Sequence, residues 1–472
     1  MSAAEDFLKE KFGVNESYDF GTMHTHLYDF PVLLVYINGL VDGQVLTELL
    51  TQVQRDKWDV ELDENTIMEH YFPYYSITAY DSTEKWLVAL MSGQVTFILK
   101  NGSVYTIDVR TYPGRQPEEP DNEKVVRGSR DGFTENIVQN TALIRRRIRD
   151  VNLRFELHQV STRSQTDIAI AYIKDVANDD NLVQIRERLN RIQHDGFTMT
   201  DKALEEWIFK QGFHPLPFVR FTERPDIAAA HLLEGHIVMI VDTSPSVIIV
   251  PTTLFHHLQH AEEYRQAPVI GTIVRWIRFS GVLLSLFLLP FWYLFATHPE
   301  FLPKSFEFLG PKEFGEVPLL LQILIADIGI EFLRLAAIHT PTPLSTAMGI
   351  IAALVIGQMA VDVGLFIPEV ILYAAVTAIF TFAIPSYELS IATKIFRTFI
   401  LLSTAIFGVN GLFISLVCLL WYVGSIKPLN VPYLWPAMPF FPKAFLRILI
   451  RFPMPVDAKR PFITRSPVRK RS

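Results

Sequence analysis

The sequence predicts a chain in two parts: a cytosolic α/β N-terminal region of two subdomains, then an α-helical polytopic membrane domain. Three observations predict this. Mean hydropathy is +0.22 over 472 residues, with 49% hydrophobic and 20% charged residues, a balance unusual for a soluble protein of this length. Charges are spread through residues 1–270, whereas from Trp276 the chain is apolar for about 150 residues. That apolar block divides into the stretches 276–296, 318–338, 344–366, 368–385 and 396–424, each long enough to cross a hydrocarbon core of about 30 Å. One such stretch could be a buried core helix. Five in series, with short polar breaks, read as membrane spans.

The soluble half is read element by element. Pro31–Ile37 is a short apolar strand, and Asp42 begins a helical pattern through Val53. Val95–Leu99 and Val104–Val109 flank Asn101-Gly102, a pair that tolerates positive φ and therefore makes a hairpin turn. Residues 113–123 are Pro-rich and acidic and read as a loop. A second unit follows: Thr134–Glu156 as one long helix, Asp167–Ile173 as a strand, and Leu182–His194 as a helix. Ile237–Val241 and Val247–Val250 are strands joined by a turn at Asp242–Pro245. No period of 20–50 residues repeats, which argues against a solenoid. The expected divisions are 1–112 and 134–270 for the two α/β subdomains with a linker at 113–133, 271–430 for the membrane domain, and 431–472 for a Pro-rich basic tail.

Charge sets the expected topology. Residues 443–472 hold nine Lys/Arg and one acid, roughly +8, so the preceding residues carry about −15 of the net −7. Glu5, Asp6, Lys9, Glu10 and Lys11 break any apolar core of a secretory signal. Arg275 sits just before the first span and Arg278 just inside it, and the connection 297–317 holds Glu300, Glu307, Glu313 and Glu316 against Lys304 and Lys312. Positive residues favour the cytoplasmic side, so both ends are expected there. That needs an even number of crossings, against five apolar stretches. One stretch does not span, or 396–424 splits at Gly408–Gly411, or residues near 431–452 re-enter.

Several function classes drop out. The single cysteine, Cys418, excludes an internal disulfide and any CxxC site, and the net negative charge argues against a general nucleic-acid binder. The chain has no GxGxxG, Walker A, HExxH or GxSxG motif, so no catalytic residues, cofactor or enzyme activity are expected. His256 and His260, spaced i, i+4 near Glu263, read as ordinary surface histidines rather than metal ligands. Arg145, Arg146, Arg147, Arg149 and Arg154 read as a solvated basic helix face, with docking onto a subunit or anionic lipid as the alternative.

Polar residues inside the apolar block carry more information. Asp327, Glu331 and Arg334 lie at i, i+4 and i+7, on one helical face. Gln358 and Asp362 are also i, i+4, and Glu369 opens the next stretch after Pro368. A charge in hydrocarbon costs at least about 2.5–3.5 kcal/mol, so such groups pair or face water. These six are candidates for an ion path, with a structural Glu331–Arg334 or Asp327–Arg334 pair as the other reading. His339–Pro343 is a tight turn or a broken segment lining a cavity.

Thr222–Asp226 (TERPD), Leu232–Ile237 (LLEGHI) and Ile240–Pro245 (IVDTSP) resemble signature stretches of the spore germination receptor A-subunit family, the GerA type. Ala142–Ile148, Ile356–Gln358 and Pro432–Pro436 fit as well, and the resemblance spans about residues 20–455. Glu331–Arg334 and His339–Met348 look most like a stage V sporulation branch that accompanies the dipicolinate-release proteins. The resemblance implies the spore inner membrane of an endospore former, and an oligomer with itself and with other spore membrane germination proteins. It also implies a channel for monovalent cations opening early in germination. A small-anion (dipicolinate) release component and a non-conducting scaffold are the alternatives. Physically, Pro225 favours an extended residue before it, Asp226 can cap the helix suggested by Ile227–Leu233, and Arg224 between Glu223 and Asp226 suggests a fixed charge network. With Glu234, Gly235 and Asp242 these residues are expected to form a structural clasp between the second lobe and the membrane domain.

Overall fold

The structure is a computed structural model that describes residues 2–12, 16–27, 30–55, 64–66, 68–69, 72–74, 76–111, 123, 125–197, 199–209, 211–339, 358–453 and 460–468. Most of the 113–123 loop, the turn after His339 and most of the 344–366 stretch lie outside the described residues. The chain forms two compact units. One comprises Met1–Gly212, Phe218–Thr252 and Pro453–Ser472; the other comprises Phe213–Pro217 and Thr253–Phe452.

The first unit holds two five-stranded antiparallel sheets. The first is built from β1 (Phe20–Leu27), β2 (Phe30–Ile37), β3 (Ile77–Tyr80), β4 (Val95–Leu99) and β5 (Val104–Ile107), in the order β1-β2-β4-β5-β3. The second is built from β6 (Leu153–Val160), β7 (Thr166–Ile173), β8 (Arg220–Thr222), β9 (Ile237–Val241) and β10 (Val247–Val250), in the order β6-β7-β9-β10-β8. The two orders are the same. Helices fall in matching places: α1 (Ser2–Phe12) precedes the first sheet, α2 (Gly43–Arg55) follows β2, and α3 (Thr83–Met91) lies between β3 and β4. In the second lobe α4 (Ile137–Arg147) precedes β6, α5 (Asp179–Asn190) and α6 (Thr200–Phe209) follow β7, and α7 (Pro225–Glu234) lies between β8 and β9. Each short helix before the central hairpin ends on a left-handed glycine, Gly93 at φ 98° and Gly235 at φ 95°. The hairpin expected around Asn101-Gly102 is present, with Gly102 at φ 89°.

Alternation along β2 divides the first lobe's core. Val32 and Leu34 pack with Leu46, Leu49 and Val53 of α2, while Leu33 and Val35 pack with Trp86 and Leu90 of α3 and with Ala142 of α4. Asp42 accepts from the amides of Gln44 and Val45 and so caps α2.

Three expectations are corrected here. The long helix expected over 134–156 ends at Arg147, and Leu153 begins β6. Asp150 accepts from the amides of Asn152 and Leu153 in the intervening turn, and the alternating Leu153, Phe155 and Leu157 suit a strand. The helix expected over 182–194 is Asp179–Asn190, capped by Asn178 through the Asn181 amide. The basic run is only in part a solvated face: Arg146 and Arg149 are exposed, and the other three are not. Arg145 is fully buried, pairs with Asp19 at 2.8 Å, donates to the Asp150 and Leu153 carbonyls, and is flanked by the rings of Phe20 and Phe155. Arg147 pairs with Asp131, and Arg154 is buried in β6 beside Glu16.

The second unit is helical. It contains α8 (Leu254–Leu258), α9 (Ala261–Arg265), α10 (Pro268–Thr297), α11 (Leu319–His339), α12 (Pro368–Phe382), α13 (Tyr387–Ser425) and α14 (Pro442–Leu449). Among the described residues α10 and α13 are long and apolar enough to cross a membrane, and α12 is a shorter apolar helix. α13 is not one straight helix. Gly408 has φ 59° and ψ −138°, the Phe396 and Tyr422 rings come within 6.0 Å, and a Cβ on Gly411 would collide with the Ser403 carbonyl. Contacts between residues 26 and 8 positions apart mean that the chain reverses at Gly408, so 387–407 and 409–425 form a helical hairpin. His256 and His260, read as neighbours on one helix, belong to different elements. His256 accepts at Nδ1 from Thr253 in a capping box, and His260 is the N-cap of α9.

Candidate functional site

The polar residues of the helical unit converge on the face between α11 and the first half of α13. Asp327, Glu331 and Arg334 stand at i, i+4 and i+7 on α11. On α13 the spacing is matched by Ser390, Lys394 and Arg397, so the two helices present an antiparallel ladder. Arg397 Nη2 lies 2.5 Å from Asp327 Oδ1. Lys394 Nζ donates to Glu331 Oε2 at 3.2 Å and to the Asp327 carbonyl at 2.7 Å. Arg334 Nη2 donates to Ser390 Oγ at 3.0 Å, stands 3.9 Å from Glu331, and covers the rings of Tyr387 and Phe382. Arg397 also donates to the Ser285 carbonyl of α10 and to Thr381 of α12, so this one guanidinium touches four helices. Two carboxylates face three cations.

The ladder explains how these charges tolerate their surroundings. The side chains of Arg397 and Asp327 are 3% and 13% exposed, and an isolated charge there would be strongly disfavoured. Paired, they fasten helices that are far apart in sequence. Lys394 escaped the sequence reading because the last apolar stretch was started at 396, and Arg397, the second residue of that stretch, was not singled out. The repeated i, i+4, i+7 spacing was present to be seen.

The other expected site residues lie elsewhere. Gln358 and Asp362 are on a short exposed helical stretch, 358–362, and Asp362 has no ion-pair or hydrogen-bond partner among the described residues. Glu369, in the first turn of α12, accepts from the Lys312 amide at 3.4 Å. Tyr373 donates to the Leu309 carbonyl, and buried Gln322 bridges the Val317 carbonyl and the Ile367 amide. The connection 298–318 and the start of α12 therefore meet at one end of the helical unit. A second buried charge group lies where α10 begins. Glu263 is enclosed by Arg275 and Arg278, and Arg275 also donates to the carbonyls of Arg447 and Ile448.

The motif residues form a network inside the α/β unit. Buried Arg224 donates to the carbonyls of Glu123 and Ser129 and pairs with Asp226, and the Glu223 carbonyl accepts from the Phe133 amide. Asp226 was expected to cap the helix. Arg224 holds the N-cap position instead, because Pro225 at N1 sets the helical φ, and Asp226 sits in the first turn. Asp242 accepts from the Ile137 amide at the start of α4. The Glu234 carbonyl accepts from Thr464, and a Cβ on Gly235 would come 3.2 Å from that hydroxyl. Among the described residues no group of three or more His, Cys, Asp and Glu is placed to hold a metal ion.

Comparison with known proteins gives a consistent picture. Residues 6–463 match the model of the Bacillus/Clostridium GerA spore germination protein family. Stage V sporulation protein AF of Bacillus subtilis (strain 168) is 49% identical over 465 residues, covering 97% of this chain and 94% of that protein. Spore germination protein KA of the same organism is 31% identical over 446 residues, covering 93% and 80%. Among solved structures, the N-terminal domain of the A subunit of the Bacillus megaterium spore germinant receptor GerK3 covers 53% of this chain and 94% of that one, at 27% identity and a TM-score of 0.41.

Proposed function

The chain belongs to the GerA spore germination protein family, and from that premise we propose that it is a membrane subunit of a spore germination complex that assembles, with itself and with other germination proteins, into a channel for monovalent cations. The single observation that carries the channel reading is Asp362. It is an exposed carboxylate with no partner among the described residues, on a stretch whose neighbours Met359, Val363 and Leu365 are exposed and apolar. A carboxylate on an apolar helical surface is tolerated where it meets water or a polar group of another chain. A water-filled path between subunits supplies both, and a ring of such carboxylates concentrates cations. Gln358 and Glu369 extend the same path. Asp327, Glu331 and Arg334 belong to its wall, where the ladder to α13 keeps the bundle rigid. No catalytic step is proposed.

The proposal places both termini on the cytoplasmic side of the spore inner membrane with six crossings. Two observations support it. Residues 460–468, after the helical block, pack in the same unit as the α/β lobes that precede it: Thr464 donates to the Glu234 carbonyl and Arg460 to that of Leu233. Chain on both sides of the block then lies on one face of the membrane, which requires an even count. The reversal at Gly408 turns the last apolar stretch into two crossings and makes the count even.

One feature favours a second reading, release of a small anion. The ladder carries three cations against two carboxylates, and Arg334 has its nearest carboxylate 3.9 Å away. Reversal potentials of the purified protein in planar bilayers under a potassium chloride gradient separate the two. A potential near the potassium limit supports cation passage, one near the chloride limit supports the anion reading, and the absence of conductance in the assembled complex rejects both.

A further inference from the structure

α10 is too long for the membrane it enters. Its 30 residues extend roughly 45 Å, against a hydrocarbon core of about 30 Å. Residues 279–297 hold no charged side chain and match that core, so the first eleven residues of the helix lie at the level of the head groups. α14 is fastened against this emergent end. Trp276 Nε1 donates to the Leu449 carbonyl at 2.9 Å, Arg275 donates to the Arg447 and Ile448 carbonyls, and the Arg451 amide donates to Thr272 Oγ1 at 3.1 Å. The inner face of α14 packs through Phe445 onto Phe255 and Phe440. Its outer face exposes Lys443, Leu446 and Arg447, next to exposed Phe440 and Phe441 and to exposed Trp276.

This surface mixes apolar side chains with positive charge and, among the described residues, has no acidic residue of its own. Residues 431–456 contain Lys443, Arg447 and Arg451 and no Asp or Glu. The nearby Glu263 is already enclosed by Arg275 and Arg278. Among the described residues Lys443 has no partner and the Arg451 guanidinium meets no carboxylate, being held by the backbone carbonyls of Tyr264 and Gln266. We propose that α14 and the first turns of α10 form an interfacial docking surface for anionic phospholipid head groups. Phe440, Phe441 and Leu446 enter the acyl boundary, while Lys443 meets the phosphates. Aromatic and basic residues are the side chains suited to that depth, and a short helix with one mixed apolar and basic face lies in the plane of the interface. The surface anchors the emergent end of α10, and through the Glu263–Arg275 pair it fixes where the helical block begins.

This inference rests on the membrane-spanning reading and is tested apart from it. The full chain carrying a photoreactive benzophenone side chain in place of Leu446 is put into nanodiscs of equal phosphatidylglycerol and phosphatidylcholine. Each cation near the surface favours the anionic lipid by about five-fold, so labelling should favour phosphatidylglycerol by about five-fold or more and fall with added salt. Lys443→Gln should reduce that excess several-fold. Equal labelling of the two lipids overturns the head-group assignment while leaving the spanning reading intact. Labelling of a second copy of the chain instead of lipid overturns it in favour of an oligomer contact. Labelling of neither lipid nor protein puts Leu446 in water and overturns the interfacial placement of α14.

Discussion

Buried charge is handled differently in the two units. In the α/β unit Arg145 is held on every side: a carboxylate at 2.8 Å, two backbone carbonyls and two aromatic rings fix one position. In the helical unit Arg397 is held as firmly, but Arg334 has a hydroxyl and a carboxylate at 3.9 Å, and Asp362 has no partner among the described residues. The first arrangement joins lobes and does nothing else. The second grades from a fixed lock at Asp327 and Arg397 to polar groups available to water. We therefore place structure at the lock and function at the loosely held end.

The comparison breaks most visibly at the lock. Removing one partner of a buried pair costs about 3–5 kcal/mol, so Asp327→Asn or Arg397→Ala should sharply reduce folded, extractable protein. The double variant Asp327→Leu/Arg397→Met should recover much of it, because a buried pair replaced as a whole by apolar side chains leaves no stranded charge. Size-exclusion yield from membranes checks both. In the other unit Asp19→Asn strands Arg145 and should cost about 3 kcal/mol, read as a lowered first melting transition.

His236 sharpens the contrast through pH. Burial lowers its pKa from the ordinary 6.5 to about 4, with Arg220 adding to the shift and buried His231 packed at 5.1 Å. Burial also lowers His231 well below its ordinary value. Between pH 6.5 and 4 the unfolded chain binds a proton that the folded unit does not, so stability is lost on acidification through that window, by up to about 3 kcal/mol for His236. His236→Phe should flatten the pH dependence of the α/β melting transition and leave the helical unit's behaviour unchanged. A smaller effect is expected at Gly235→Ala, roughly 1–2 kcal/mol, since φ 95° disfavours any side chain and the added Cβ meets Thr464.

The sequence was most legible where one residue type has one physical use. A short apolar run gave β2, Asn101-Gly102 gave the β4–β5 turn, and Asp42 gave the start of α2. It was least legible where a segment's local preference is ambiguous. The polar β1 (FGTMHTHL) gave no strand signal because it is half-exposed, and Asp150–Asn152 was absorbed into a helix that it ends. The matching strand order of the two lobes escaped because equivalent glycines, Gly93 and Gly235, are 142 positions apart, far beyond the repeat lengths considered. Half of the polar ladder was read on α11. Its other half was missed because the hydropathy boundary at 396 cuts off Lys394 and leaves Arg397 as a lone charge at the polar edge of the stretch. The break at Gly408–Gly411 was one of three ways to make the crossings even, and loop charge alone could not choose among them.

The central claim is that Asp362 faces an ion path while Asp327 holds the bundle. Single-channel recording of Asp362→Asn beside the parent protein, at matched assembly measured by size exclusion, tests it most directly. The carboxylate is exposed, so its removal should change stability by less than about 0.5 kcal/mol. Cation conductance or selectivity should nevertheless fall. Unchanged conductance and selectivity in normally assembled Asp362→Asn protein would contradict the account, because a channel that conducts normally without this carboxylate runs its ion path elsewhere.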